Sequence, residues 1–228
     1  MSSIGITERG DAALNTNWEG WVREGRPAIL ITKDPEKLYK ILITHFIEPP
    51  NIIVHCTITG HGGTVYEPNV PSPDHSFRGY HHLIKYLGKD RVVLRVDPII
   101  VTDYGIQIAK EIISHAETRV RISFLDIYPH VRERFEKHGI HLWNEFHAPL
   151  NDRRAAWETL GRPEICGEPG FECNGCVSEI DCNILGVTPS KNRGFQRESC
   201  ACLGNKRELF MSRERCPHGC LYCYWKDE

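Results

Sequence analysis

Three cysteines near the C-terminal end, Cys216, Cys220 and Cys223, follow the spacing C-x3-C-x2-C, with Gly219 just before the second and Tyr222 just before the third. Thiolates held so closely in a Gly-containing loop suit three irons of a [4Fe–4S] cube and leave the fourth iron without a protein ligand. An open iron is a site for chemistry. The structural alternative is a closed zinc site, with His218 or a further cysteine completing the set. Zinc ribbons pair one C-x2-C knuckle with another, whereas C-x3-C-x2-C matches the iron–sulfur pattern. A disulfide framework is the third possibility.

Of the ten cysteines, residues 1–165 contain only Cys56 and residues 166–228 hold the rest. This asymmetry suggests a scaffold over 1–165 followed by a cluster-binding segment over 166–228 that completes the fold. Six cysteines remain beyond the triplet: Cys166, Cys173, Cys176, Cys182, Cys200 and Cys202. Four thiolates suffice for an auxiliary [4Fe–4S] cluster or for structural zinc. Cys173 and Cys176 form a C-x2-C pair, which lets two thiolates converge from one turn, so Cys173 is favoured over Cys166 and Cys182 as a ligand. Cys56 lies inside an apolar run and reads as core.

The chain has 228 residues, 40% hydrophobic and 25% charged, with a formal net charge of −2. That composition gives a soluble chain near the upper end of one domain, without a strong bias toward nucleic acid or anionic membrane. No apolar run approaches a membrane span and the start lacks a signal-peptide pattern, so the expected compartment is the cytoplasm. Thiols there stay reduced, which favours metal or redox roles for the cysteines. The histidines show no convergent metal spacing. His55 and His61 are the two that could face a site, and the Gly60–Gly63 turn does not match a phosphate loop.

Short β-branched runs alternate with helical periodicity along residues 1–165, the pattern of repeated βα units and a parallel sheet. Strands are expected at 3–6, 28–32, 52–59, 92–96, 120–127 and 164–166, with a short extended run at 140–143. Helices are expected from Pro35 toward Pro49-Pro50, and at 76–87, 104–116, 131–138 and 153–160. Six or seven units result. Polar residues at the carboxyl ends of parallel strands are the candidates for ligand contacts: Lys33, Thr57, Thr59, Arg95, Asp97, Ser123 and Asp126. Arg9 and Asp11 follow the first strand, where they could also form a surface ion pair.

The run Cys216-Pro217-His218-Gly219-Cys220-Leu221-Tyr222-Cys223-Tyr224-Trp225 resembles the signature of the radical S-adenosylmethionine (SAM) superfamily. It looks especially like the spore photoproduct lyase branch and a related uncharacterised bacterial group with the triplet at the C-terminal end. Thr32-Lys33-Asp34-Pro35, the run from Glu67 to Pro73, the run from Arg95 to Ile100 and the run from Ile122 to Asp126 resemble segments of the same proteins in the same order. The resemblance implies a partial (β/α) TIM-type barrel. The triplet usually follows the first strand, so it also implies a circular permutation, with residues 208–212 as the strand that delivers the Cys216 loop beside residues 3–6.

The implied activity is reductive cleavage of SAM to a 5′-deoxyadenosyl radical, which abstracts hydrogen from a substrate. In that reading Cys216, Cys220 and Cys223 hold the cluster and Tyr222 lies near the adenine. Arg95, Lys33, Thr57 and Ser123 contact SAM or substrate, and a flavodoxin or ferredoxin is the electron donor. Cys176, Cys200 and Cys202 resemble positions in the uncharacterised group, which implicates them in the auxiliary site. The usual Gly-Gly-Glu segment has no clear counterpart, since Gly62-Gly63 lacks a following Glu. The substrate stays open among small molecules, nucleosides and peptides. The contrasting reading is a non-catalytic metal-binding module whose cysteines are structural.

Overall fold

The β-branched runs form seven strands in a computed structural model that describes residues 3–194, 198–211 and 215–226. They are β1 (Ile4–Ile6), β2 (Ala28–Thr32), β3 (Ile52–Thr57), β4 (Val92–Ile99), β5 (Arg119–Phe124), β6 (Glu164–Ile165) and β7 (Lys206–Glu208). Every pairing is parallel and the order is β6-β5-β4-β3-β2-β1-β7, so neighbours in sequence are neighbours in space except for the last strand. The sheet curls into a half barrel with an inner and an outer face.

Helices α1 (Glu19–Arg23), α2 (Pro35–His45), α3 (Pro73–Leu87) and α4 (Asp103–Ser114) cover the outer face together with α6 (Leu150–Thr159), whereas α5 (Pro129–Lys137) packs against residues 220–222 and α7 (Glu179–Ile184) lies on the inner side. Asp34 caps α2 by accepting from the Lys37 amide, Ser72 caps α3 through His75, and proline occupies the first turn of both. Strand alternation sends Leu30, Val54, Cys56, Leu94 and Ile122 outward against Leu38, Leu42, Tyr80, Leu83 and Ile112. Inward-facing Ile4, Ile6, Ile29, Ile31, Ile53 and Val93 meet Val177, Leu185, Val187 and the cysteine-rich chain.

Between β6 at one edge of the sheet and β7 at the other, the described residues of the intervening segment, among them Cys176, Val177, Leu185, Val187, Cys200 and Cys202, pack on the concave face. The cysteine-rich segment is therefore an inner lining of the half barrel rather than a cap set apart from it.

The observed strand β7 begins two residues earlier than the expected 208–212, and Ser212 lies outside the described residues. Two short helices escaped the sequence reading. α1 is too short to show a period, while α7 carries a Ser178–Asp181 capping box. The expected run at 140–143 forms no strand: the Arg132 guanidinium donates to the carbonyls of Trp143 and Asn144 at 3.0 and 2.6 Å, satisfying backbone that a strand would pair. Ile140, Leu142 and Trp143 pack beside Phe135 of α5.

Gly79 lets α2 and α3 touch, since a Cβ there would run into the backbone of Pro35 and Glu36. Gly79→Ala should destabilise the fold by about 1–3 kcal/mol through overpacking, despite the ~1 kcal/mol gain in helix propensity. Thermal denaturation checks this, and an unchanged or raised midpoint would show that the helices part freely.

Candidate functional site

At the carboxyl ends of the strands a cavity of about 440 Å³ opens into the half barrel. Cys216, Cys220 and Cys223 line it together with Lys33, Thr57, Arg95, Asp97, Ser123, Asp126 and Tyr222. Residues scattered over the sequence thus converge where parallel strands present their loops. Arg9 and Asp11 also reach the lining. Thr59 does not: it is buried, and its hydroxyl accepts from the His61 amide.

The triplet loop is docked by side chains from four separate segments. Asp11 is buried and accepts from the Thr32 hydroxyl at 2.7 Å, from the Lys33 amide at 2.7 Å and from His218 Nε2 at 2.9 Å, so it is no partner in a surface ion pair with Arg9. Burial opposes ionisation of Asp11 and of His218, but their mutual hydrogen bond and attraction lower the Asp11 pKa and raise that of His218. Asn69 accepts at its carbonyl from His218 Nδ1, and its side-chain amide donates to the Pro217 carbonyl at 2.9 Å. Gly219 takes φ +67°, a left-handed turn that places Cys220 without a Cβ penalty.

Lys33 is the central cation. Its Nζ lies 2.6 Å from Glu67 Oε1 and donates to the Tyr222 hydroxyl at 2.9 Å. Desolvation alone would lower its pKa, yet the Glu67 charge beside it raises it, so Lys33 stays protonated. From the other side, the Arg134 guanidinium donates to the carbonyls of Leu221, Cys223 and Trp225 at 3.4, 2.5 and 2.6 Å. Arg215 donates to the Cys220 carbonyl, and the Tyr224 hydroxyl donates to the Glu8 carbonyl. Burial pushes the Cys220 thiol up to about 12 and raises Cys216, so metal binding must displace protons there.

Deeper in the cavity Arg95 pairs with Asp97, whose other carboxylate oxygen accepts from the Ser123 hydroxyl at 2.5 Å. Asp126 accepts from His147 at 2.7 Å, and Lys206 is paired with Glu8. Thr57 Oγ1 is buried and has no hydrogen-bond partner. It offers a ligand one unspent hydroxyl.

A second group of thiols lies on the inner face below. Cys166 Sγ and Cys176 Sγ are 3.3 Å apart, the Cys176 amide donates to Cys202 Sγ at 3.2 Å, and Cys202 is hydrogen-bonded to Cys200. Cys166 and Cys200 also line the cavity. Gly175 makes this approach possible, because a Cβ there would stand 2.6 Å from the Cys202 Cα. Hydrogen bonds from Cys166 and Cys202, reinforced by the charges of Arg95 and Arg121, lower the Cys176 pKa.

The sulfur of Cys173, favoured by its C-x2-C spacing, is bonded to the amide and carbonyl of Glu168 at 3.2 Å, and it is the Cys166 sulfur that touches Cys176. Cys182 points instead to Asn205 Oδ1 at 3.8 Å. Cys56 is fully buried in the outer core, where desolvation raises its thiol pKa, as expected of a core residue. His61 packs against Tyr66 with the rings tilted and 4.8 Å between centroids, and it does not line the cavity. His55 is fully buried on the inner face with both ring nitrogens unpartnered, and burial followed by the Arg121 charge lowers its pKa to about 3. Gln196 and Arg197, which precede Cys200, lie outside the described residues.

Among the described residues no three or more His, Cys, Asp or Glu side chains are drawn close enough to hold a metal ion as they stand. The sequence reading assigned no role to Glu67, Asn69, Arg134 or Arg121. Glu67 and Asn69 sit in one of the quoted proline-rich runs, which was the available signal. Arg134 reads as an ordinary helix-surface cation, and nothing local distinguishes it.

Comparison with known proteins adds a family: a profile described as a domain of unknown function (DUF1848) matches residues 26–225, and the chain belongs to that family. No curated protein and no solved structure matches it.

Because Arg134 makes three charge-assisted bonds to the triplet loop, Arg134→Met should free that loop while leaving the sheet intact. A hydrogen bond to a charged group contributes about 1.5–3 kcal/mol, so amide-exchange protection of residues 216–226 should fall roughly ten- to hundredfold. Protection in β3 should not change. Equal protection in both proteins would show that the loop is held by its other contacts.

Proposed function

We propose that this member of the DUF1848 family is a radical SAM enzyme, with Cys216, Cys220 and Cys223 as the ligands of a [4Fe–4S] cluster and the adjoining cavity as the seat of SAM and substrate. The carrying observation is that all three thiols line one cavity with Lys33, Thr57, Arg95, Ser123 and Tyr222 at the carboxyl edge of a parallel half barrel. The residues fit the group. Three buried or half-buried thiols share one short loop, and the unpartnered Thr57 hydroxyl and a roomy, mixed polar and aromatic lining lie next to it. When bound, the cluster and SAM would supply reductive cleavage of the sulfonium and a 5′-deoxyadenosyl radical that abstracts hydrogen from an organic substrate.

The chain's own residues would bind and orient. His218, clamped by Asp11 and Asn69, fixes the turn between the first two ligands. Lys33 places a permanent positive charge beside Cys220 and holds the Tyr222 ring where the resemblance puts the adenine. Arg95, Asp97 and Ser123 form one hydrogen-bonded unit whose polar edge faces the cavity for the amino and carboxylate groups of SAM. Tyr128, Tyr224 and Trp225 wall the mouth and exclude water.

The topology supports the circular permutation, because β7 lies parallel to β1 and precedes the triplet. A single structural zinc ion fits less well: a closed site needs four protein ligands, whereas the loop offers three thiols and both ring nitrogens of His218 are engaged by Asp11 and Asn69. A flavodoxin- or ferredoxin-type protein would deliver the electron. The cavity cations Arg95, Lys33 and Lys206 are each paired with a carboxylate, which leaves little surplus charge for a nucleic-acid backbone. Among the described residues no helix is long and apolar enough to cross a membrane.

The test is anaerobic reconstitution with iron and sulfide, addition of dithionite and SAM, and chromatographic detection of 5′-deoxyadenosine. The wild-type chain should release it, and Cys220→Ala should reduce the yield to background. Stoichiometric zinc with no SAM cleavage would support a structural metal module instead.

A further inference from the structure

We propose that Cys166, Cys176, Cys200 and Cys202 ligate a second [4Fe–4S] cluster set into the inner wall of the same cavity. The sequence brings these residues from three separate stretches, and the fold alone gathers them. Cys166 continues β6, with its amide bonded to the Ile122 carbonyl, Cys176 follows the close-approach glycine Gly175, and Cys200 and Cys202 belong to the chain returning toward β7. Cys166 Sγ touches Cys176 Sγ, the Cys176 amide donates to Cys202 Sγ, and Cys202 is hydrogen-bonded to Cys200, so the four residues form one connected group.

An independent observation points to a bound group beside them. Inward-facing His55 and Arg121 are 0% and 1% exposed, and both His55 ring nitrogens and Arg121 Nη1 lack any hydrogen-bond partner. Buried donors are rarely left unpaired. Arg121 and Arg95 both act electrostatically on Cys166 and Cys176, and Lys206 Nζ lies 3.8 Å from Cys202 Sγ. Arg95, Arg121 and Lys206 are already ion-paired with Asp97, Glu164, Asp181 and Glu8, so what remains unspent beside the four thiols is one Arg121 N–H and the His55 imidazole, donors suited to the sulfurs of a bound sulfur-rich group. Structural zinc sites are closed. Here two of the four sulfurs, Cys166 and Cys200, open on the cavity that also holds Cys216, Cys220 and Cys223, which suits a redox centre that faces substrate.

The assignment differs from one based on spacing, which selects Cys173. It is tested in a chain carrying Cys216→Ala, Cys220→Ala and Cys223→Ala, so the result does not depend on whether the triplet binds a cluster. After anaerobic reconstitution this variant should keep about four irons and four sulfides per chain, with a [4Fe–4S] Mössbauer signature. Adding Cys166→Ala should abolish that iron, whereas adding Cys173→Ala together with Cys182→Ala should leave it unchanged. Circular dichroism follows the fold in each case. Iron lost with Cys173 and Cys182, tightly held zinc that iron cannot displace, a Cys166–Cys176 disulfide in place of metal, or a folded variant with no iron would each overturn the proposal. If Cys166→Ala does not fold, the Cys173→Ala, Cys182→Ala chain still decides between the two ligand sets.

Discussion

One half-buried cation, Lys33, paired with the buried Glu67, ties the end of β2 to the loop that carries the triplet. Its ammonium sits between the Glu67 carboxylate and the Tyr222 hydroxyl, with Asp11 accepting from its own backbone amide. Breaking one partner of a pair this buried would leave an uncompensated charge, which costs about 3–5 kcal/mol. The triplet loop therefore cannot leave the sheet edge without exposing or stranding Glu67 and Lys33. The position of Cys220, 6% exposed at the cavity wall, follows from that constraint.

The concave face of the half barrel is resolved by a second economy. A closed barrel fills its interior with side chains from its own strands, but seven strands leave an open trough. Here the described part of residues 166–205, between β6 and β7, packs into it and buries Val177, Leu185 and Val187 against the inward isoleucines. The same segment carries Cys166, Cys176, Cys200 and Cys202 under the strand-end residues. One chain segment thus supplies both the inner core and the sulfur-rich wall, and Arg119 and Arg121 of β5 are ion-paired with Glu164, just before it, and with Asp181 of its helix α7.

Much of this was legible in the residues. β2 falls where the run Ala28–Thr32 predicts it and Pro35 opens its helix as expected, whereas α3 starts three residues before the expected 76, at Pro73, where Ser72 caps it. The convergence of Lys33, Thr57, Arg95 and Ser123 follows from one rule, that parallel strands offer their carboxyl ends to a common loop cluster. What stayed hidden was long-range. Cys173 has the better local spacing but is turned to the backbone of Glu168, while Cys166 reaches the thiol group because β6 aims it inward. Arg134 captures three carbonyls far along the chain, and no local pattern encodes that. The 140–143 run has strand composition, yet Arg132 satisfies its backbone instead.

The most direct measurement is electron paramagnetic resonance of the anaerobically reduced Cys166→Ala chain, in which the proposed second cluster loses a ligand, recorded before and after addition of SAM. A cube with one open iron predicts a reduced [4Fe–4S] signal whose g-values shift when the sulfonium ligand binds. A signal indifferent to SAM, or a folded chain with zinc and no such signal, would contradict the assignment of Cys216, Cys220 and Cys223.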